Sequence, residues 1–216
     1  ETGRDILYVG MSGGISGSYA SAEVAAATLR EEFPERKIRL VDTLSASLAE
    51  GLLVIKAVES RAEGLSLDET ADRLLESRHR MCQVFTVGNL KYLKRGGRIS
   101  NLKAAVGTVL QIKPLLKGDP EGKIVCFGQV RGRKKSIEMM AEQYNRYAEN
   151  AEAETIGIAH ADCPEDAEAL IALLNRSHPP KNVILACYEP MTGAHVGPDA
   201  LALFFYGKKE FRPAMK

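Results

Sequence analysis

The chain has 216 residues, 45% of them hydrophobic and 26% charged, which suits a soluble globular protein of one large domain or two small ones. Its 29 Lys and Arg stand against 28 Asp and Glu, a net charge of +1, so no excess of positive charge argues for nucleic acid or for an anionic membrane surface. No apolar run approaches the roughly 20 residues needed to cross a bilayer, the opening Glu-Thr-Gly-Arg-Asp lacks the regions of a signal peptide, and Cys82, Cys126, Cys163 and Cys187 are too scattered for zinc or a disulfide framework. The expectation is a cytoplasmic protein with reduced core cysteines, no metal and no stable membrane insertion.

Ile6-Leu7-Tyr8-Val9 reads as a short apolar strand, followed by the glycine-serine loop Gly10-Met11-Ser12-Gly13-Gly14-Ile15-Ser16-Gly17-Ser18 and an alanine-rich helix over 19–29. A strand, a glycine-rich turn and a helix start aim backbone N–H groups at one point, where an anion or carboxylate can sit. The pattern is neither Gly-x-Gly-x-x-Gly nor a Walker loop, so dinucleotides and nucleoside triphosphates are not indicated. The plainer alternative is that Ser12, Ser16 and Ser18 merely cap the helix.

Residues 37–41 read as a second strand, and Ser45 or Ser47 can start an apolar helix over 48–62 that Gly64 ends. Ser66 followed by Glu69 is a capping box that opens another helix running to about Arg80. A third strand, 84–87, leads into the short helix of Leu90-Lys91-Tyr92-Leu93-Lys94-Arg95, stopped by Gly96-Gly97. Arg98 then stands on a turn beside glycines, a setting in which a guanidinium can meet a carboxylate or phosphate, and Ser100 can cap a second amphipathic run over 102–112.

Beyond Pro114, Leu115-Leu116, a polar turn over 117–122 and Lys123-Ile124-Val125-Cys126-Phe127 form a hairpin. Arg131, Arg133, Lys134 and Lys135 cluster just before an expected helix over 137–147, where they oppose the helix dipole unless an anion is near. A strand over 154–160, a helix over 165–177 and a strand over 182–187 follow. The last signature is Thr192-Gly193-Ala194-His195-Val196-Gly197-Pro198, in which Pro198 is expected to open a helix and leave His195 exposed at a strand-to-helix turn. Strands and helices alternate throughout, as in an α/β protein.

Four blocks carry a resemblance. Ser12-Gly13-Gly14-Ile15-Ser16-Gly17-Ser18-Tyr19-Ala20-Ser21-Ala22 resembles the first serine block of the DegV family. Tyr92 through Ser100, with Leu110-Gln111-Ile112-Lys113-Pro114 after it, is similar to that family's central signature, and Val130 through Lys135 and His195-Val196-Gly197-Pro198 to its later motifs. The resemblance implies a two-domain α/β arrangement: a truncated Rossmann-like parallel-sheet domain over 1–80 and a mixed-sheet α/β domain over 81–216, with an acyl-chain pocket at the interface.

It also implies a fatty-acid-binding carrier for a long-chain fatty acid, without cofactor or chemistry of its own, that presents the carboxylate to a fatty acid kinase for acyl phosphate formation and phospholipid synthesis. Ser12, Gly13, Gly14, Ser16 and His195 would then surround the carboxylate, Arg98 and Arg131 would lie near the head group or the docked kinase, and Leu110, Ile112, Leu201, Phe204 and Phe205 are candidates for lining the tail. Gly13 stands where many members carry a second serine, and Asp199 replaces the glycine usual after His-x-Gly-Pro. The family's additional N-terminal segment, with a Thr-Ser-x-Pro loop, has no counterpart in this sequence, so the first domain is expected to lack a strand or more and part of the head-group site. Two other readings stay open: a hydrolase of an acyl ester with His195 as base and Ser12 or Ser16 as nucleophile, and an interaction module without a working pocket.

Overall fold

A computed structural model of the protein describes residues 3–99 and 111–213. Strands β1 (Ile6–Gly10) and β2 (Ile38–Asp42) form a two-stranded parallel sheet with Ile6 opposite Ile38, connected through helix α1 (Ser18–Glu32). Helices α2 (Leu48–Ala62) and α3 (Leu67–Ser77) follow, and α3 opens on the expected capping box: the Glu69 amide donates to Ser66 Oγ at 3.3 Å, and the Ser66 amide to Glu69 Oε2 at 2.8 Å. Two otherwise orphaned helix-end groups are thereby satisfied.

The rest of the described chain builds a six-stranded mixed sheet. Its elements are β3 (Met81–Thr86), α4 (Lys91–Arg95), β4 (Ile112–Gly118), β5 (Ile124–Arg131), α5 (Arg133–Tyr147), β6 (Thr155–His160), α6 (Pro164–Ser177), β7 (Asn182–Cys187), α7 (Pro190–Val196) and β8 (Leu201–Tyr206). The strand order is β5-β4-β3-β8-β6-β7, with only β6 and β7 parallel.

Every residue of β8 is buried because this central strand is covered on both faces, which is why it reads as an unbroken apolar run. Leu201, Leu203 and Phe205 pack with Ile137 and Met140 of α5 and Leu170 and Leu174 of α6, and Tyr144 meets Phe205 edge-on at 5.1 Å. Ala202, Phe204 and Tyr206 point to the opposite face and share a core with Val41, Leu52, Leu53, Ala71 and Leu74. The helices that flank the small sheet therefore also cover one face of the large one.

Several expected boundaries move. Helix α5 begins at Arg133, so three of the clustered cations lie in its first turn instead of before it. Arg133 pairs with Asp166 at 2.7 Å and Lys135 reaches Glu138 and Glu142, which offsets the unfavourable charge at that helix end. Ile112 is the first residue of a strand and not the end of a helix, following Gln111 at φ 78. The remainder of the run expected over 102–112, its cap Ser100 and Leu110 lie outside the described residues. Pro198 opens no helix: helix α7 precedes it and β8 follows. Of the cysteines, Cys82 and Cys163 are buried, whereas Cys126 is half-buried and Cys187 exposed, so only two of the four belong to the core.

Candidate functional site

The loops at the carboxyl ends of β1 and β2 face β3, β8 and α7 across a cleft open at one side, the position where α/β sheets commonly hold ligands. Met11, Ile15, Phe85, Leu93, Ile124, Met191, Val196, Ala202 and Phe204 give it apolar walls. Ser16, Arg98, Thr192 and His195 add hydroxyls and two basic side chains, and Ser47, Gln83 and Tyr188 add further polar atoms. Among the described residues no carboxylate lines it. Burial pushes the Tyr188 phenol up, and its hydroxyl hydrogen-bonds Ser47.

Two motifs far apart in sequence interlock here. A Cβ on Gly96 would lie 2.4 Å from His195 Nδ1, and one on Gly197 would lie 2.2 Å from the Tyr92 ring. Helix α4 thus supplies a ring to Gly197 and a glycine to His195, and the segment around α7 does the reverse. Gly197 also has φ 75, where a side chain would be strained. The buried Val87, Leu93, Ile99 and Val196 seal the junction. Arg98 stands on the turn after α4, where its Nη1 donates to the Gly96 carbonyl at 2.5 Å. Asp199 adopts φ 60, the left-handed region that favours glycine.

His195 sits near the C-terminal end of α7, whose N-cap is Glu189. The Glu189 carboxylate accepts from the Thr192 hydroxyl and from its amide at 2.9 Å, and these bonds hold it below the usual carboxylate range.

Of the seven residues singled out in the sequence, Ser16, Arg98 and His195 line the cleft together. Ser12 is fully buried behind it: its hydroxyl donates to the Gly122 carbonyl at 2.9 Å and accepts from the Gly14 amide at 3.1 Å. Gly14 lets the first loop press against the β4–β5 turn, since a Cβ there would come within 2.7 Å of the Glu121 carbonyl oxygen. Gly13 is exposed and gives its amide to Asp42 at 3.1 Å. Arg131 is exposed at the end of β5, opposite Ile112, and does not line the cleft. Among the tail candidates, Phe204 lines the cleft, whereas Leu201 and Phe205 face the α5–α6 side of the sheet. Thr192, Ser47, Gln83 and Tyr188 were missed; only Thr192 stood in a quoted motif, and the others become neighbours through tertiary folding alone.

Among the described residues, no group of His, Cys, Asp and Glu could hold a metal ion, and no helix is long and apolar enough to cross a membrane.

Comparison with known proteins gives a consistent result. Residues 1–208 match the sequence model of the DegV family. A DegV domain-containing protein of Clostridium perfringens is 40% identical over 207 residues, which make up 96% of this chain and 71% of that one. A fatty-acid-binding DegV family protein from Thermus thermophilus superposes with a TM-score of 0.84 at 32% identity, over 94% of this chain and 71% of its own. A DegV family structure from Ruminococcus gnavus, refined with vaccenic acid, has a TM-score of 0.87 at 26% identity, over 93% and 72%.

Proposed function

The chain belongs to the DegV family, and from that premise we propose that it is a fatty-acid carrier whose cleft buries a long acyl chain and whose basic, hydroxyl-bearing rim holds the carboxylate. The observation that carries this reading is the lining: apolar walls, no carboxylate among the described residues, and Arg98, His195, Ser16 and Thr192 on one cleft. Each charge-assisted hydrogen bond to a carboxylate contributes about 1.5–3 kcal/mol, and each buried methylene about 0.8 kcal/mol. Relatives described as binding fatty acids, from Thermus thermophilus and Ruminococcus gnavus, support the same ligand class. In this reading residues 1–80 and 81–216 act as two domains, because the cleft draws its lining from both. Ser12, Gly13 and Gly14 shape the first loop, and Arg131 serves a partner surface outside the cleft.

The carrier does no chemistry of its own and works in the cytoplasm without metal or cofactor. It shields the tail and leaves the carboxylate near the surface, where a fatty acid kinase converts it to an acyl phosphate. Among the described residues neither Ser12 nor Ser16 hydrogen-bonds His195, so the hydrolase reading gains no support from geometry. His195→Ala is expected to lower kinase-dependent acyl phosphate formation more than it lowers lipid retention. Equal loss of both would contradict that division of labour.

A further inference from the structure

Arg212 is buried, with 2% of its surface exposed, at the far end of the described chain. Its Nε donates to the Met81 carbonyl at 3.1 Å, Nη1 to the Leu44 carbonyl at 2.9 Å and the Asp119 carbonyl at 3.1 Å, and Nη2 to Ser45 Oγ at 2.9 Å. All four acceptors are neutral oxygens. Burying a guanidinium on neutral acceptors is costly, so the arrangement has to hold something in place. What the acceptors share is position: two belong to the loop after β2, one to the β4–β5 turn and one to the start of β3.

That loop is strained. Leu44 has φ 53, and Ser47 has φ 58 with ψ −138, a region almost reserved for glycine. Ala46 and Ser47 line the cleft in front, beside Gly122 of the turn, and Ser47 carries the hydrogen bond to Tyr188. The Ser12 amide donates to the Ser45 carbonyl at 2.8 Å, and Gln83 Nε2 donates to the Leu44 carbonyl at 3.4 Å, so the same loop also ties the first glycine-serine turn to the cleft floor. Left without an anchor at its back, a strained segment relaxes toward commoner backbone angles.

We propose that Arg212 is a positioning residue for the acyl cleft, clamping the 43–47 loop in the strained conformation that forms one wall. The ligand in this inference is the fatty acid of the preceding section and rests on that reading; the clamp itself does not. A planar, five-donor guanidinium reaches four acceptors at once, which an ammonium cannot do.

The test uses cis-parinaric acid as a fluorescent probe and hydrogen exchange read by mass spectrometry on the full chain. Arg212→Ala is expected to bind the probe about tenfold more weakly, with faster exchange confined to peptides covering 43–47 and 119–122 while β6 and β8 stay protected. Arg212→Lys is expected to restore only part of the affinity. If Arg212→Ala fails to fold, Ser45→Ala removes one of the four bonds and is expected to give the same local pattern with a loss of about threefold. Unchanged affinity and exchange in the variants, or exchange that rises uniformly across both sheets, would overturn the clamp. If the wild type does not bind the probe, the fatty-acid reading fails, while the exchange pattern still decides the clamp: local opening supports it, and uniform opening or none overturns it.

Discussion

Gly96 separates packing from function at a single atom. Its φ of −73 is one that alanine adopts without strain, and the obstacle to a side chain is the His195 imidazole, which can swing away. Gly96→Ala is therefore expected to cost less than about 1 kcal/mol of stability while displacing His195 from the cleft and weakening fatty-acid binding. Thermal melts alongside probe titration check this; a large stability loss with unaltered binding would show that the imidazole is not held by that glycine. Gly197 differs, because its φ of 75 and the Tyr92 ring both oppose a side chain. The sequence marks both glycines, yet only the fold reveals which ring each one admits.

Among the elements, α3 is the one whose start is most plainly written. Ser66 and Glu69 satisfy each other's backbone amides as their spacing demands, so Ser66→Ala is expected to lower stability by about 1 kcal/mol, readable as a lower denaturation midpoint with an unchanged m-value. Local patterns of this kind made β7 and the β4–β5 hairpin legible, since each is bounded by residues that act within one turn of the chain, and α2 keeps its expected span although no side chain caps its start. Helix α7 was not legible. Its N1 proline is Pro190, while Pro198 follows the left-handed Gly197 that ends the helix, and proline suits both places equally. Ser47 likewise sits at the start of α2 but makes no side-chain cap; its hydroxyl turns to Tyr188, a partner no local pattern discloses. Cleft residues recruited from β3, the 43–47 loop and Tyr188 become neighbours only when the two sheets meet.

Across the whole molecule, the buried tail and the sheets are joined by cations. Lys117 of β4 donates to the Phe211 carbonyl at 2.5 Å and lies over the Phe211 ring, next to the Arg212 clamp. Burial lowers its pKa from 10.5 to about 8. Below pH 8 the folded and unfolded chains both hold this proton, so stability does not vary through it. Between pH 8 and about 10.5 only the unfolded chain holds it, and raising the pH favours the folded form, by about 1–3 kcal/mol across the window. Lys117→Met should lack that rise, so the stability difference between wild type and variant should grow in favour of wild type from pH 8 upward. A difference that stays flat to pH 10 would place the ammonium in an ordinary aqueous setting.

The most direct measurement is native mass spectrometry of the purified chain, followed by solvent extraction and identification of what is released. A long-chain fatty acid retained at about one per chain is the expected result, reduced in Gly96→Ala and His195→Ala. An unliganded mass that does not change after incubation with fatty acids would contradict the carrier function.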